Sequence, residues 1–194
     1  MPSRLQARAK NCRGRWLTAM GFGALAPNEE RAVRGSRSKS QPMTDLAAVL
    51  PHLLPHAIAW VHAQEFKILA SGRALTDIET KLAIAVGVHD PARVRIKLVA
   101  QIPAPRDPEL RAIALETGLI GPHTGGITLG RGIYIRDGHL TNRLISHELR
   151  HVHQYETAGS ITAFLQKYLE QIATVGYERA PLELDAVQHE REIP

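Results

Sequence analysis

The stretch "NRLISHELRHVHQYE", residues 142–156, decides how this chain is read. It sets two histidines four apart, His147 and His151, with Glu148 directly after the first. On an α-helix four residues turn by about 400°, so both imidazoles leave the same face, one turn apart. Two imidazoles so placed can chelate one zinc ion at about 2.0–2.1 Å per bond. Glu148 stands about 100° round the helix, beside the ion and poorly aimed to ligate it. A general base is needed there to take a proton from a metal-activated water. Ile145, Leu149 and Val152 give the helix an apolar side to bury, which would hold both histidines in orientation.

With ten His and thirteen Glu in 194 residues, random placement would give His-Glu-x-x-His in roughly 3% of such chains. The pattern therefore needs a third ligand and a suitable strand. Composition narrows what these can be. The only cysteine, Cys12, rules out an internal disulfide framework and a thiolate zinc cluster, so any metal must use His and carboxylate ligands. Hydrophobic content of 44% and charged content of 22% are ordinary for a globular protein. No uninterrupted run of about 18 apolar residues occurs, so no membrane span is expected.

The net charge of +5 is unevenly spread. Residues 1–42 carry nine Lys/Arg against Glu29 and Glu30, a balance of +7, which leaves −2 on residues 43–194. The body makes no case for binding phosphate backbones. Only the basic segment suggests weak contact with nucleic acid or an anionic surface. A basic start, a short apolar run from Trp16 and Ala24-Leu25-Ala26 trace a secretory signal, interrupted by Gly21 and Gly23. The expectation is a disordered basic extension over 1–42, a folded domain over 43–194 and a cytoplasmic location, with export the weaker reading.

The body reads as α+β with a short mixed sheet. "HAIAWVHAQEFKILASG" has helical spacing at Ile58, Val61, Phe66 and Leu69. A second helix follows a Thr76 or Asp77 cap and stops at Asp90-Pro91. "RVRIKLVAQI" alternates, with Val94, Ile96 and Leu98 on the buried side. Residues 108–117 predict a short helix. "GGITLGRGIYIRDG" predicts two short strands around Gly130-Arg131-Gly132, or one strand with a bulge. Three helices close the chain: 141–157 capped by Thr141 or Asn142, Ser160 to about Gly176, and one starting at Pro181. Phe164 and Tyr168 belong to the core by this reading, and His123, His139 and His189 to loops or surface. No strand-to-helix phosphate loop follows the glycines, which argues against nucleotide binding.

The Pro181 helix offers the third ligand. Glu183 shares a face with Ala186, Val187 and Glu190, and the small Ala186 would permit close approach to the histidine helix. Asp185, about 200° away on the helix, is the alternative ligand or a group behind the ligands. "SHELRHVHQYE", an intervening helix and "YERAPLELDA" together resemble the zincin metallopeptidases of the glutamate-ligand branch, the gluzincins, and most of all their small members. The resemblance implies a zincin-like fold with one zinc ion per chain, held by His147, His151 and Glu183, and Glu148 as the catalytic glutamate. It also implies an edge strand at Gly126, Ile127, Thr128 and Leu129 that pairs with extended peptide substrate. Tyr177 and Tyr155 are candidates for stabilising the transition state. Arg150 and His153 depart from the pattern, which prefers an uncharged and an apolar residue there.

The function expected is zinc-dependent hydrolysis of peptide bonds in a peptide or protein substrate. The alternative is a catalytically weak or inactive zinc-binding domain with a structural or regulatory role.

Overall fold

The computed structural model describes residues 46–192. The basic extension, its signal-like outline and Cys12 lie outside them. The described residues form six α-helices and a four-stranded mixed sheet. In chain order these are α1 (Leu46–Ser71), β1 (Arg73–Ala74), α2 (Asp77–Ala85), β2 (Arg95–Val99) and α3 (Pro108–Glu116). After them come β3 (Gly126–Leu129), β4 (Gly132–Arg136), α4 (Asn142–Ala158), α5 (Ile161–Val175) and α6 (Pro181–Gln188), with single 3-10 turns at Pro91–Arg93 and Tyr177–Arg179.

The sheet order is β1-β2-β4-β3. β2 and β4 are parallel, with Ile96 opposite Ile133, and both edge strands are antiparallel to their neighbours. Alternation along β4 divides the core. Ile133 and Ile135 face one way, packing with Ile145, Leu149 and Val152 of α4 and Leu82 of α2. Tyr134 faces the other, with Val61 and Ile68 of α1 and Phe164 and Leu165 of α5. A third cluster joins Leu53, Ile113 and Ile172.

The "GRG" stretch forms a hairpin, with Leu129 paired to Gly132 across Gly130 and Arg131. Gly130 has φ +68, and a Cβ there would lie 2.1 Å from the Glu65 carboxylate. Glu65 approaches so closely because its Oε1 accepts the Arg131 N–H at 2.8 Å. The positive φ favours glycine at this turn, and the Glu65 carboxylate crowds any larger residue.

Helix ends follow local chemistry. Thr141 Oγ1 accepts from the Leu144 N–H to start α4, and Gly159 at φ +79 ends it. Ser160 caps α5, and Thr76, with Glu79 reaching back, forms a capping box for α2.

Two expectations need correction. The first helix begins at Leu46, carries Pro51 and Pro55 on its exposed side, and buries Leu53, Ala57, Val61, Gln64 and Ile68. Phe66 and Leu69 point outward, and Phe66 is 76% exposed. Apolar residues occur on more than one face of α1, so periodicity alone fits several phases, and contact with β4 and α5 selects the Val61–Ile68 phase. Val94, just before β2, and Ile96 within it are buried but Leu98 is exposed. Among the described residues α1 alone is long and apolar enough to cross a membrane, by length and composition. Its buried stripe is covered by the sheet and by α5.

Candidate metal centre

α4 presents His147 and His151 toward α6, where Ala186 is fully buried. Donor atoms of three side chains converge between the helices. His147 Nε2 is 3.2 Å from His151 Nε2 and 3.6 Å from Glu183 Oε2, and His151 Nε2 is 3.3 Å from Glu183 Oε1. Tetrahedral coordination with bonds of about 2.0–2.1 Å puts neighbouring donors about 3.3–3.4 Å apart. The separations are of that order, each histidine lying nearest a different oxygen of Glu183. His147, His151 and Glu183 could therefore hold a metal ion, and no other group of three such side chains in the described residues meets the same distance limit.

The outer nitrogens of the two histidines have different partners. Gln154 Nε2 donates to Leu182 O at 2.9 Å and to Asp185 Oδ2 at 2.7 Å, so its oxygen must face His151. His151 Nδ1–H donates to that oxygen at 2.8 Å, which aims the Nε2 lone pair at the triangle. Behind Gln154, Arg150 grips Asp185 with both arms of its guanidinium, Nε to Oδ2 at 2.7 Å and Nη2 to Oδ1 at 3.0 Å. Arg150, the departure noted in the sequence, thus closes a chain that runs Arg150, Asp185, Gln154, His151. Asp185 lies behind the triangle, not at a corner of it.

His147 Nδ1 makes no hydrogen bond of good geometry. Glu190 Oε1 stands 3.4 Å away, an electrostatic contact, while Glu190 Oε2 accepts from Arg143 Nε at 2.5 Å. Arg191 N donates to Ser146 Oγ at 2.7 Å, which fastens this segment to the start of α4.

These surroundings set the charges. Burial alone would lower the pKa of His147, but the Glu183 and Glu190 carboxylates close to its two ring nitrogens and the nearby charge of Glu148 outweigh it and raise the value to about 10. Burial would raise the pKa of Glu183, but the charges and hydrogen bonds of His151 and His147 together hold it well below the usual carboxylate range. Without an ion, the proton on His147 supplies the positive charge in the triangle.

Glu148 is buried beside the triangle, and β3 holds it there. Thr128 Oγ1 lies 2.7 Å from Glu148 Oε2 and 2.9 Å from the Glu148 carbonyl oxygen, and its single proton serves either. A Cβ on Gly126 would come within 2.8 Å of Glu148 Oε1 and 3.0 Å of Ile135 Cδ1. The glycine leaves room for the carboxylate. Pairing of Gly126 with Ile135 and Thr128 with Ile133 turns both residues toward α4, while Ile127 and Leu129 face the α1 side. The outer edge of β3 has no strand partner within the sheet.

Of the tyrosines, Tyr168 belongs to the site as well as the core: its hydroxyl donates to Glu183 Oε1 at 2.5 Å. The Tyr177 hydroxyl is also close to Glu183, and burial together with the Glu183 and Glu148 charges raises its pKa. Tyr155 stacks on Phe164 at 3.7 Å between ring centroids, and its hydroxyl is directed to the Gly130 backbone. His153 stays outside the triangle and donates through Nδ1 to Gly87 O at 2.6 Å.

Sequence reading missed Gln154, Glu190, Thr128 as the partner of Glu148, and Tyr168 as the partner of Glu183. For Gln154 a signal did exist, because a residue at i+3 from a helical histidine lies on the same side of the helix. The chain matches no family model, no curated protein and no solved structure.

Proposed function

We propose that this domain is a zinc-dependent metallopeptidase of gluzincin type. The observation that carries the reading is the donor cluster of His147, His151 and Glu183 with Glu148 held beside it by Thr128 of the edge strand β3. Two imidazole nitrogens and one carboxylate oxygen suit zinc, and three protein ligands leave a fourth position open, as a catalytic site requires. Bound there, zinc would act as a Lewis acid toward a peptide carbonyl and lower the pKa of water.

The chain's own residues account for the rest. Gln154 orients His151, and Glu190 places a negative charge behind His147. Glu148 takes a proton from the attacking water and returns it to the leaving amine. Thr128 holds the Glu148 carboxylate at β3, the strand on which an extended substrate would form main-chain hydrogen bonds. Tyr177 is the candidate to stabilise the developing oxyanion, since burial beside Glu183 keeps its hydroxyl protonated, a donor at the edge of the triangle.

The test is elemental analysis of protein purified without added zinc or a histidine tag, followed by peptide-library cleavage. About one zinc per chain is expected. Glu148→Gln should retain it and lose cleavage. If wild type also cleaves nothing while holding zinc, the domain is a structural or regulatory zinc module. A chain that takes up no zinc after reconstitution would defeat both readings.

A further inference from the structure

A second pair of histidines four apart occurs in "PHLLPH", residues 51–56: His52 and His56. Both lie on the exposed side of α1, one turn apart. Their ring centroids are 5.5 Å apart at 49°, against 4.9 Å and 79° for His147 and His151. The start of α3 faces them with two carboxylates. His56 Nδ1 is 3.1 Å from Asp107 Oδ2, close to the spacing of neighbouring ligands on a tetrahedral ion, and His52 Nε2 is 4.0 Å from Glu109 Oε2. Asp107 is already oriented, because its Oδ1 accepts the Leu110 N–H at 2.9 Å as the cap of α3 and leaves Oδ2 turned to α1. Among the described residues no lysine or arginine forms an ion pair with either carboxylate.

We propose that His52, His56 and Asp107, with Glu109 as a fourth ligand, form a second metal site that takes a divalent transition ion and ties α1 to α3. Imidazole nitrogens and carboxylate oxygens are donors of the kind that bind zinc, copper(II) and nickel. Two carboxylates opposite two neutral rings balance the charge of such an ion. The four side chains are spread more widely than the triangle, but all of them reach solvent. Exposed rotamers interchange within nanoseconds, so single-bond rotations gather the donors without moving backbone. The backbone is already in place, since Leu53 of α1 and Ile113 of α3 pack in one core cluster. The two sites differ in kind. The triangle is buried and Gln154 holds His151 from behind, whereas the α1 histidines lie open to water. The ion on α1 is therefore the weaker and the more readily exchanged. None of its four ligands belongs to the triangle, so the site stands or falls apart from the peptidase reading.

The experiment is a calorimetric zinc titration of the full-length chain without a histidine tag. It compares wild type, His151→Ala and the double variant His52→Ala/His56→Ala. Wild type should bind about two ions per chain, the second more weakly and only as zinc is added. His151→Ala should lose the tighter ion and keep the weaker. The double variant should do the opposite, and its fold is safe because alanine suits an exposed helix face. Asp107→Asn keeps the α3 cap but should weaken the second ion by about tenfold or more, since losing a ligand costs at least as much as losing a partner behind one. Excess zinc should raise the melting temperature of His151→Ala and leave that of the triple variant, with both α1 histidines also replaced, unchanged.

A weaker ion bound as well by the double variant as by wild type, or no weaker ion at all, would overturn the site. So would an affinity unmoved by Asp107→Asn, which would remove the tie to α3. A single ion in wild type that survives His151→Ala and vanishes in the double variant would keep this site and sink the zinc reading of the triangle.

Discussion

His147 and His151 occupy one face of one helix and meet the same carboxylate, yet their far sides are built differently. Behind His151 stands a neutral amide, locked by three hydrogen bonds and backed by the Arg150–Asp185 pair. Behind His147 stands a carboxylate, Glu190, at a looser 3.4 Å and itself paired with Arg143. The first arrangement fixes direction and leaves His151 without a neighbouring charge on its outer nitrogen. The second gives His147 a negative neighbour, which stabilises the protonated imidazole in the metal-free protein and raises the basicity of the neutral one as a ligand. Geometry is secured on one side and charge on the other.

Removing the shared corner erases the contrast. Glu183→Ala should lower zinc content from about one per chain to about a tenth or less by elemental analysis, whatever stands behind either histidine. Next is the His151 side. Asp185→Ala frees Gln154 to rotate and leaves Arg150 unpaired, and zinc affinity by competition with a chelating dye should fall about 10- to 100-fold. Asp185→Asn, which keeps an acceptor for Gln154, should recover part of it.

The His147 side should respond to pH. Its pKa of about 10 means that metal uptake at pH 7 displaces one proton from this residue, while Glu183 is already ionised. The proton displaced from His147 should make apparent zinc affinity rise about tenfold per pH unit up to about pH 10. Calorimetry in buffers of different ionisation enthalpy measures that proton directly. Glu190→Gln should lower the pKa of His147 and shrink the proton release, with a change in affinity of about tenfold or less at pH 7. A proton count the same in Glu190→Gln as in wild type would show that the charge on this side does nothing.

Metal-free stability follows the same signs. The folded-state pKa of His147 is raised, so its contribution is full below about pH 6.5 and lost as the pH climbs through about 10. Glu183 is lowered, so its contribution is present above about pH 4.5 and lost on further acidification. A melting-temperature profile of the metal-free protein should therefore decline in both directions from a neutral plateau.

Gly126→Ala should have the smallest effect on metal. Zinc affinity should hold within about twofold, because the atoms nearest an added Cβ belong to Glu148 and Ile135, while cleavage falls about 10- to 100-fold as the Glu148 carboxylate is pushed aside.

Much of the fold could be read from local chemistry. Thr141, Ser160, Gly159 and Pro181 mark helix ends through capping and φ preferences that act over a few residues, and α4, α5 and α6 stop and start at them. The α+β class follows from the same signals together with the alternation along β4. The ligand face of α4 was equally local, being a matter of spacing within one helix. What escaped was long-range. Arg150 and Asp185 are 35 residues apart, and nothing at either position announces the other. The outward turn of Phe66 depends on which side of α1 meets Gly132, where a Cβ would lie 2.8 Å from Ile68. Tyr168 looked like core because it is core along its ring and part of the site only at its oxygen.

One consequence concerns the chain as a polymer. His151 and Glu183 belong to α4 and α6, with all of α5 between them. An ion gripped by both would tie off a loop of about thirty residues, and the entropy removed from the unfolded ensemble by that tie grows with the logarithm of loop length. The tied segment contains Phe164 and Leu165, which cover α1, and the turn that leads into α6. Metal binding would then brace the C-terminal third of the domain and slow the opening of α5 amides, although that helix contributes no ligand.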